Sequence, residues 1–173
     1  MSILTEWPQC DAELVGRITA ATETDCHRWM CACAEDALGI CDGLHVAAGF
    51  ALPEPTTIEL KRSWLAGSAT DDDLACAQGY AVNDCYHGHC LALGAALLGC
   101  LWHPGSGASL SDDEHYAESM TWYPDARAAL LDILRECWRA VVGMVLETPG
   151  STAQDVAAAE VRVQARQRGI ILG

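Results

Sequence analysis

Apolar residues recur at helical spacing through much of the chain, and the longest such pattern runs from Asp71 to Trp102. This spacing, with alternating steps of three and four, is typical of the inward face of a long bundle helix. We therefore expect one long central helix around which the other helices pack. Its predicted inward stripe consists of Leu74, Ala77, Ala81, Asp84, Gly88, Leu91, Ala95, Leu98 and Trp102.

Shorter periodic stretches predict the remaining helices. We expect a first helix up to about residue 20 with Pro8 in its first turn, and a second over about residues 25–45. A third over residues 57–66 ends at Gly67, and two more run from Pro124 to about Leu146 and from Ala153 to about Arg168. The inward seam of the second helix is expected to contain Cys26, Met30, Cys33, Ala37, Ile40 and Leu44.

The same patterns predict which side chains point away from the core. On the second helix His27 and Cys31 lie off the seam, so we expect them to be lateral or exposed to solvent. On the third helix we expect Leu60, Trp64 and Leu65 to point inward, and Lys61 and Arg62 to point outward.

The composition favours helix over sheet. Half of the residues are apolar, mostly Ala, Leu and Val, and the chain has one Phe and four Tyr. We expect an all-α, single-domain helical bundle of about five to six helices over residues 1–173. A flexible acidic loop is expected near residues 103–118, and the apolar tail 169–173 must dock on this domain or on another subunit, which suggests a homo-oligomer.

Two polar residues interrupt the stripe of the central helix and form the candidate site. Asp84 would bring a carboxylate to the buried seam, and His87 follows three residues later on the same helix surface. Gly88 removes a side chain one turn later and leaves room for a neighbouring helix or a ligand. The pair is either a satisfied buried contact or an acid/base pair in an interhelical pocket, with Tyr86 as the third catalytic candidate.

A metal site is a further alternative in the same segment. Cys85, His87, His89 and Cys90 include residue types that bind transition metals, but helical geometry divides them between two faces. Cys85 and His89 share one face and are the candidate ligands. No cofactor is otherwise expected. For the ten cysteines as a group, use as small hydrophobes in helix contacts is the main expectation, because paired C-x-x-C spacings are absent.

The charge limits the partners. Twenty-four acidic against ten basic residues give a formal net charge of −14, which opposes binding to nucleic acid or to anionic membranes. A basic partner protein suits this field. The candidate partner-binding residues are Asp71, Asp72, Asp73, Asp112, Asp113 and Glu114.

Sequence signals for membranes and common enzyme classes are missing. No apolar run approaches the roughly 18–20 residues that span a bilayer, and residues 1–20 do not resemble a signal peptide, so we expect a cytoplasmic protein. The sequence lacks a phosphate-binding glycine loop, a G-x-S-x-G motif and an H-E-x-x-H motif.

Three consecutive stretches resemble the small all-helical immunity proteins of bacterial polymorphic toxin systems. They are CHRWMCACAEDALGICD (26–42), PTTIELKRSWLAG (55–67) and AQGYAVNDCYHGHCLALGAALLGCL (77–101). The matching positions are Trp64, Gly67, Gly79, His89 and Gly94. The resemblance implies a cytoplasmic protein that neutralises a cognate toxin by binding it.

Three functional hypotheses follow. The first is a non-enzymatic binding protein of immunity type, which neutralises or sequesters a partner protein. The second is a helical-bundle enzyme or small-ligand protein, suited to specialised metabolism, that uses Asp84 and His87. The third is a metal-binding protein that uses Cys85 and His89.

Overall fold

Helices make up most of the part of the chain that the computed structural model describes, namely residues 7–48, 56–85, 91–106 and 123–173. Seven helices and no strand lie within these ranges, which confirms the predicted all-α bundle. They are α1 (Ala12–Thr19), α2 (Glu23–Ala48), α3 (Thr56–Leu65), α4 (Asp71–Cys85), α5 (Leu91–Cys100), α6 (Ala126–Glu147) and α7 (Ala153–Leu172).

Helices α2 and α6, rather than the Asp71–Trp102 segment, form the centre of the described bundle. The two helices pack along each other, and α6 also contacts α5 and α7. Helix α6 buries a wide apolar face against these neighbours. The buried residues of α6 are Ala126, Ala129, Leu130, Ile133, Leu134, Cys137, Trp138, Ala140, Val141, Val142, Met144 and Val145.

The predicted central helix appears as α4 and α5, and residues 86–90 between them lie outside the described residues. Leu74 and Trp102 are buried as expected, whereas Ala77 and Ala95 are partly exposed. The side chains of Leu91 and Leu98 are not described, so the predicted stripe is not tested at these positions of α5. The described buried residues of α5 include Leu93, Ala96, Leu97 and Cys100.

Helix α2 is buried on two faces. The predicted seam is confirmed for Cys26, Met30, Cys33, Ala37 and Ile40. His27 and Cys31 are buried as well, which shows that the prediction of lateral or exposed positions is wrong. The reason is that α2 contacts α6 on one side and α3 and α5 on another, so it needs a second apolar row.

The helix at each end of the described chain differs from its predicted bounds. Helix α1 begins at Ala12, capped by the Asp11 carboxylate that accepts from the Leu14 N–H, and Pro8 lies before it. Helix α7 continues through Gly169 to Leu172, so the predicted apolar tail is its last turn. Ile171 is 2% exposed within this same bundle, and docking on a second subunit is not needed to cover it.

Helices α5 and α6 approach each other closely at Gly99. A Cβ atom at this position would lie 2.9 Å from Ile133 Cγ1, which is closer than carbon atoms tolerate. Glycine is therefore required for this spacing of the two helices.

None of the helices within the described ranges is both long and apolar enough to cross a membrane.

Candidate functional site

Lys61 lies in the interior, although the chain has no other lysine. Its side chain is 0% exposed, so the prediction that it points outward is wrong. The local sequence explains the burial, because Ile58, Lys61 and Leu65 follow at steps of three and four and share one face of α3. Ile58 is buried and Leu65 packs against the core, so Lys61 occupies the middle of the inward stripe.

The Lys61 ammonium has no carboxylate partner within ion-pair distance among the described residues. Its Nζ donates a hydrogen bond to the Trp102 carbonyl oxygen and lies 4.2 Å from the centroid of the Trp64 ring. Burial lowers the pKa of Lys61 to about 8, although Cys100, Cys31 and Asp71 oppose the shift. A charged lysine is thus costly here, and a neutral amine is accessible near physiological pH.

His27, on α2, lies beside this amine. Its ring stacks on Trp102 with centroids 5.7 Å apart and meets the edge of Trp64 at 5.1 Å. His27 is 3% exposed, and its buried Nδ1 has no hydrogen-bond partner. Burial, together with the charges of the nearby Lys61 and His103, lowers the pKa of His27 to about 4, so this imidazole is neutral at pH 7.

A second imidazole, His103, lies on the turn after α5. It is buried, whereas the sequence placed it at the start of a flexible loop. Its Nδ1 is 2.9 Å from Ser106 Oγ, and its ring is 6.5 Å from that of Trp64. Gln78 donates to the same Ser106 Oγ at 3.3 Å, and the buried Gln78 Oε1 has no partner.

These residues, which four separate parts of the fold contribute, form one cluster. We refer to the set as the Lys61 cluster: His27, Lys61, Trp64, Gln78, Trp102, His103 and Ser106. It combines one amine, two imidazoles and two indoles with two buried polar atoms that lack partners. Buried polar groups are normally hydrogen-bonded, so such atoms mark a place where a further polar group would be accommodated.

Trp64 forms the outer wall of the Lys61 cluster. Its side chain is partly exposed, and its indole N–H donates to Asp71 Oδ1 at 2.7 Å across the turn between α3 and α4. The positive φ of Gly67, 76°, closes α3 at the predicted residue and allows this turn.

Buried thiols lie beneath the cluster. Burial raises the pKa of Cys31 and raises that of Cys100 well above its ordinary value, so both thiols stay protonated at neutral pH. Cys100 donates to the Met30 carbonyl oxygen at 3.4 Å. Among the cysteines whose side chains are described, six are buried and two, Cys10 and Cys76, are exposed.

The site residues predicted from the sequence lie largely outside the described residues. Asp84 and Cys85 belong to the last turn of α4, but their side chains are not described. Tyr86, His87, His89 and Cys90 lie in the undescribed range 86–90, and Asp112, Asp113 and Glu114 lie in 107–122. Within the described ranges no group of three His, Cys, Asp or Glu side chains is placed to hold a metal ion.

The three aspartates of the first turn of α4, Asp71, Asp72 and Asp73, were predicted to bind a partner. They lie in the described part of the chain, and their side chains are exposed. Asp73 accepts from the Thr70 backbone N–H and hydroxyl, both at 2.8 Å, and these contacts lower the pKa of its carboxyl. Asp71 accepts from Trp64. Two of the three therefore have structural contacts.

Most of the basic side chains contact groups of the same chain. The nine arginines and the single lysine all lie in described residues. Six of the arginines form ion pairs with carboxylates, Arg127 donates to the Thr19 and Ala21 carbonyl oxygens, and Arg17 lies over the Trp29 ring. The six are Arg28, Arg62, Arg135, Arg139, Arg166 and Arg168.

The described fold thus has two distinctive features. One is the closed Lys61 cluster, and the other is a surface on which most cations are paired with carboxylates of the same chain. The resemblance to immunity proteins has no further support from similarity searches. Comparison with known protein families, curated proteins and solved structures finds no match to this chain.

Proposed function

We propose that the protein is a non-enzymatic binding protein of immunity type, which neutralises or sequesters a basic partner protein through its acidic surface. The observation that supports this proposal is that most of the arginines form ion pairs with carboxylates of the same chain. Arg62 pairs with Glu35, Arg166 with Asp36, and Arg168 with Asp11 and Glu13, so these cations are engaged with carboxylates of the same chain.

The remaining field is strongly negative. The formal net charge is −14, and exposed carboxylates lie on several elements, including Glu23 and Asp42 on α2, Glu59 on α3 and Asp72 on α4. A negative field of this kind speeds the encounter with a basic protein and repels nucleic acid. Of the predicted partner-binding residues, the structure describes Asp71, Asp72 and Asp73, all of which are exposed. Exposed Glu59, on the neighbouring helix α3, extends the acidic face that we assign to the partner.

The test is neutralisation of a specific protein. The chain is co-expressed with the protein encoded beside its gene, and growth and complex formation are measured. We expect restored growth and an association rate that falls steeply between about 0.1 M and 1 M salt, because ions screen the steering field. A chain that neither binds nor protects against its neighbour would contradict the proposal.

Matched charge variants locate the surface. Glu59→Gln with Asp72→Asn removes one charge from the first turn of α3 and one from the first turn of α4, and it leaves the Asp71 and Asp73 contacts intact. Glu23→Gln with Asp42→Asn removes two charges from α2 and is the control. We expect the first pair to slow association about tenfold and the control to slow it about twofold. Equal effects would show that net charge, and not this face, governs the encounter.

A further inference from the structure

The distribution of lysine and arginine separates Lys61 from every other cation of the chain. Nine arginines serve as ion-pair partners or surface cations, and the single lysine is fully buried without a described carboxylate partner. Arginine stays charged in proteins, whereas lysine loses its proton when it is buried, and this is the property that amine chemistry requires. A buried cation with a purely structural role would be better paired with a carboxylate.

We propose that Lys61 is a carbonyl-reactive amine that binds a small uncharged aldehyde or ketone as an imine within the Lys61 cluster. This inference is independent of the proposed binding to a basic protein.

The reaction balances without a redox partner. The lone pair of the neutral Nζ attacks the carbonyl carbon, and the carbonyl oxygen takes up a proton to give a carbinolamine. Loss of that oxygen as water leaves the imine, so one carbonyl compound and one amine give one imine and one water. The protons move between nitrogen and oxygen, and no atom is oxidised or reduced.

The surroundings of Nζ suit this chemistry. The pKa of about 8 leaves a substantial fraction of the amine neutral near pH 7.5. The titratable groups that act on this amine are the protonated thiols Cys31 and Cys100, the Asp71 carboxylate and, from α2, His27. The buried Nδ1 of His27 has no hydrogen-bond partner, and we assign to it the hydrogen bond with the carbinolamine oxygen.

The walls define the class of ligand. The indole rings of Trp64 and Trp102 enclose the amine, and none of the ion-paired arginines belongs to the cluster. A carboxylate or phosphate on the ligand would therefore lack a second cation, so an uncharged, mainly apolar carbonyl compound is favoured. Entry requires movement of the Trp64 ring, which the exposed Asp71 holds in place by one hydrogen bond.

The test uses the folded full chain with propionaldehyde and sodium cyanoborohydride at about pH 7.5. The hydride reduces the imine carbon and fixes a propyl group on the nitrogen, which intact mass and peptide mapping detect. We expect one propyl group on Lys61, added about tenfold faster than to Nα-acetyl-lysine amide, because the amine with the lower pKa is more often neutral. The single lysine makes the assignment unambiguous, and peptide mapping separates it from the N-terminal amine.

Two controls decide the outcome. Lys61→Met must lose the adduct, and the wild-type chain in urea must react at the rate of the model amide, because unfolding restores the ordinary pKa. A folded protein that reacts no faster than the unfolded chain would show that Lys61 is only a buried structural residue.

The His27→Phe variant tests the role of the imidazole, because phenylalanine keeps the ring stack on Trp102. We expect this variant to form the adduct at least fivefold more slowly, and an unchanged rate would show that His27 takes no part in the reaction.

Discussion

The Nζ atom of Lys61 lies 4.2 Å from the centroid of the Trp64 indole ring, on a side chain that is itself completely buried. The negative face of an indole attracts a cation, and the attraction is worth about 2 kcal/mol when water is excluded. This contact and the Trp102 carbonyl oxygen replace the carboxylate that a buried ammonium usually has. They compensate for only part of the free energy lost when the ammonium is removed from water. For this reason a larger fraction of Lys61 is neutral than in an exposed lysine.

The first prediction concerns the stability contributed by Lys61 in alkaline solution. Its pKa is lowered from 10.5 to about 8 on folding, so between these values the unfolded chain binds more protons. The contribution of Lys61 to the free energy of unfolding is therefore fully present above pH 10.5 and is lost as the pH falls through about 8. Between about pH 7.5 and about pH 9.5, the free energy of unfolding of the wild type should rise by about 2 kcal/mol relative to that of Lys61→Met.

Urea unfolding of both proteins at the two pH values measures this difference. The comparison with the variant is necessary because burial raises the pKa of thiols such as Cys33. The stability that these thiols contribute falls as the pH rises over the same range. They are present in both proteins and cancel. A constant difference would mean that the folded-state pKa of Lys61 is close to the ordinary value.

The second prediction concerns His27 in mild acid. Its pKa is lowered from 6.5 to about 4, so the unfolded chain takes up a proton below pH 6.5 that the folded chain does not. The stabilisation is present above 6.5 and is lost as pH falls towards 4. From about pH 7 to about pH 5 the wild type should lose about 2 kcal/mol relative to His27→Phe, which cannot be protonated. Parallel urea midpoints for the two proteins would contradict this.

The third prediction concerns the helix contact at Gly99. Gly99→Ala places a methyl group 2.9 Å from Ile133 Cγ1 and should lower the free energy of unfolding by about 1–3 kcal/mol, because α5 and α6 must separate or Ile133 must change rotamer. Gly143→Ala, in α6, is the matched control, since no atom lies within 4 Å of the new Cβ. It should be neutral or stabilise by about 0.5–1 kcal/mol. Thermal unfolding distinguishes the two, and equal effects would argue against a close approach at Gly99.

The fourth prediction concerns a buried amide that joins three parts of the fold. Gln167 of α7 accepts from the Trp7 indole N–H at 2.7 Å and donates to the Leu134 carbonyl oxygen at 3.0 Å. Gln167→Met would leave the buried Trp7 indole N–H unpaired and would remove the second acceptor contact of the Leu134 carbonyl oxygen, which still accepts its bond within α6. We therefore expect a loss of about 1–3 kcal/mol in the free energy of unfolding.

Gln164→Met, three residues earlier on α7 and less buried, is the control and should change stability by less than about 0.5 kcal/mol. Guanidinium unfolding followed by tryptophan fluorescence gives both values. A Gln167→Met protein as stable as its control would show that the two bonds make no net contribution.

The helical bundle follows from the sequence because apolar spacing and capping residues are local signals. Thr70 and Thr152 cap their helices as Ser/Thr residues before acidic first turns should, and the seam of α2 is placed correctly. The outward prediction for Lys61 is wrong because the inward face of α3 contains Ile58, Lys61 and Leu65. The spacing itself contains the information, and so does the second row of α2 formed by His27, Cys31, Ala34 and Cys41. What no local pattern contains is the meeting of α2, α3, α4 and the turn after α5 around one amine.

The bond between Trp7 and Gln167 spans 160 positions of sequence. Arg168 adds contacts to Asp11, the N-cap of α1, and to Glu13 in its first turn, so the first described helix packs chiefly on the last one. A ribosome synthesises α7 long after α1, and until then the Trp7 indole N–H lacks its hydrogen-bond partner. We therefore expect the segment around Trp7 and α1 to stay undocked on the nascent chain, and a chaperone that recognises exposed tryptophan to have access to it throughout translation.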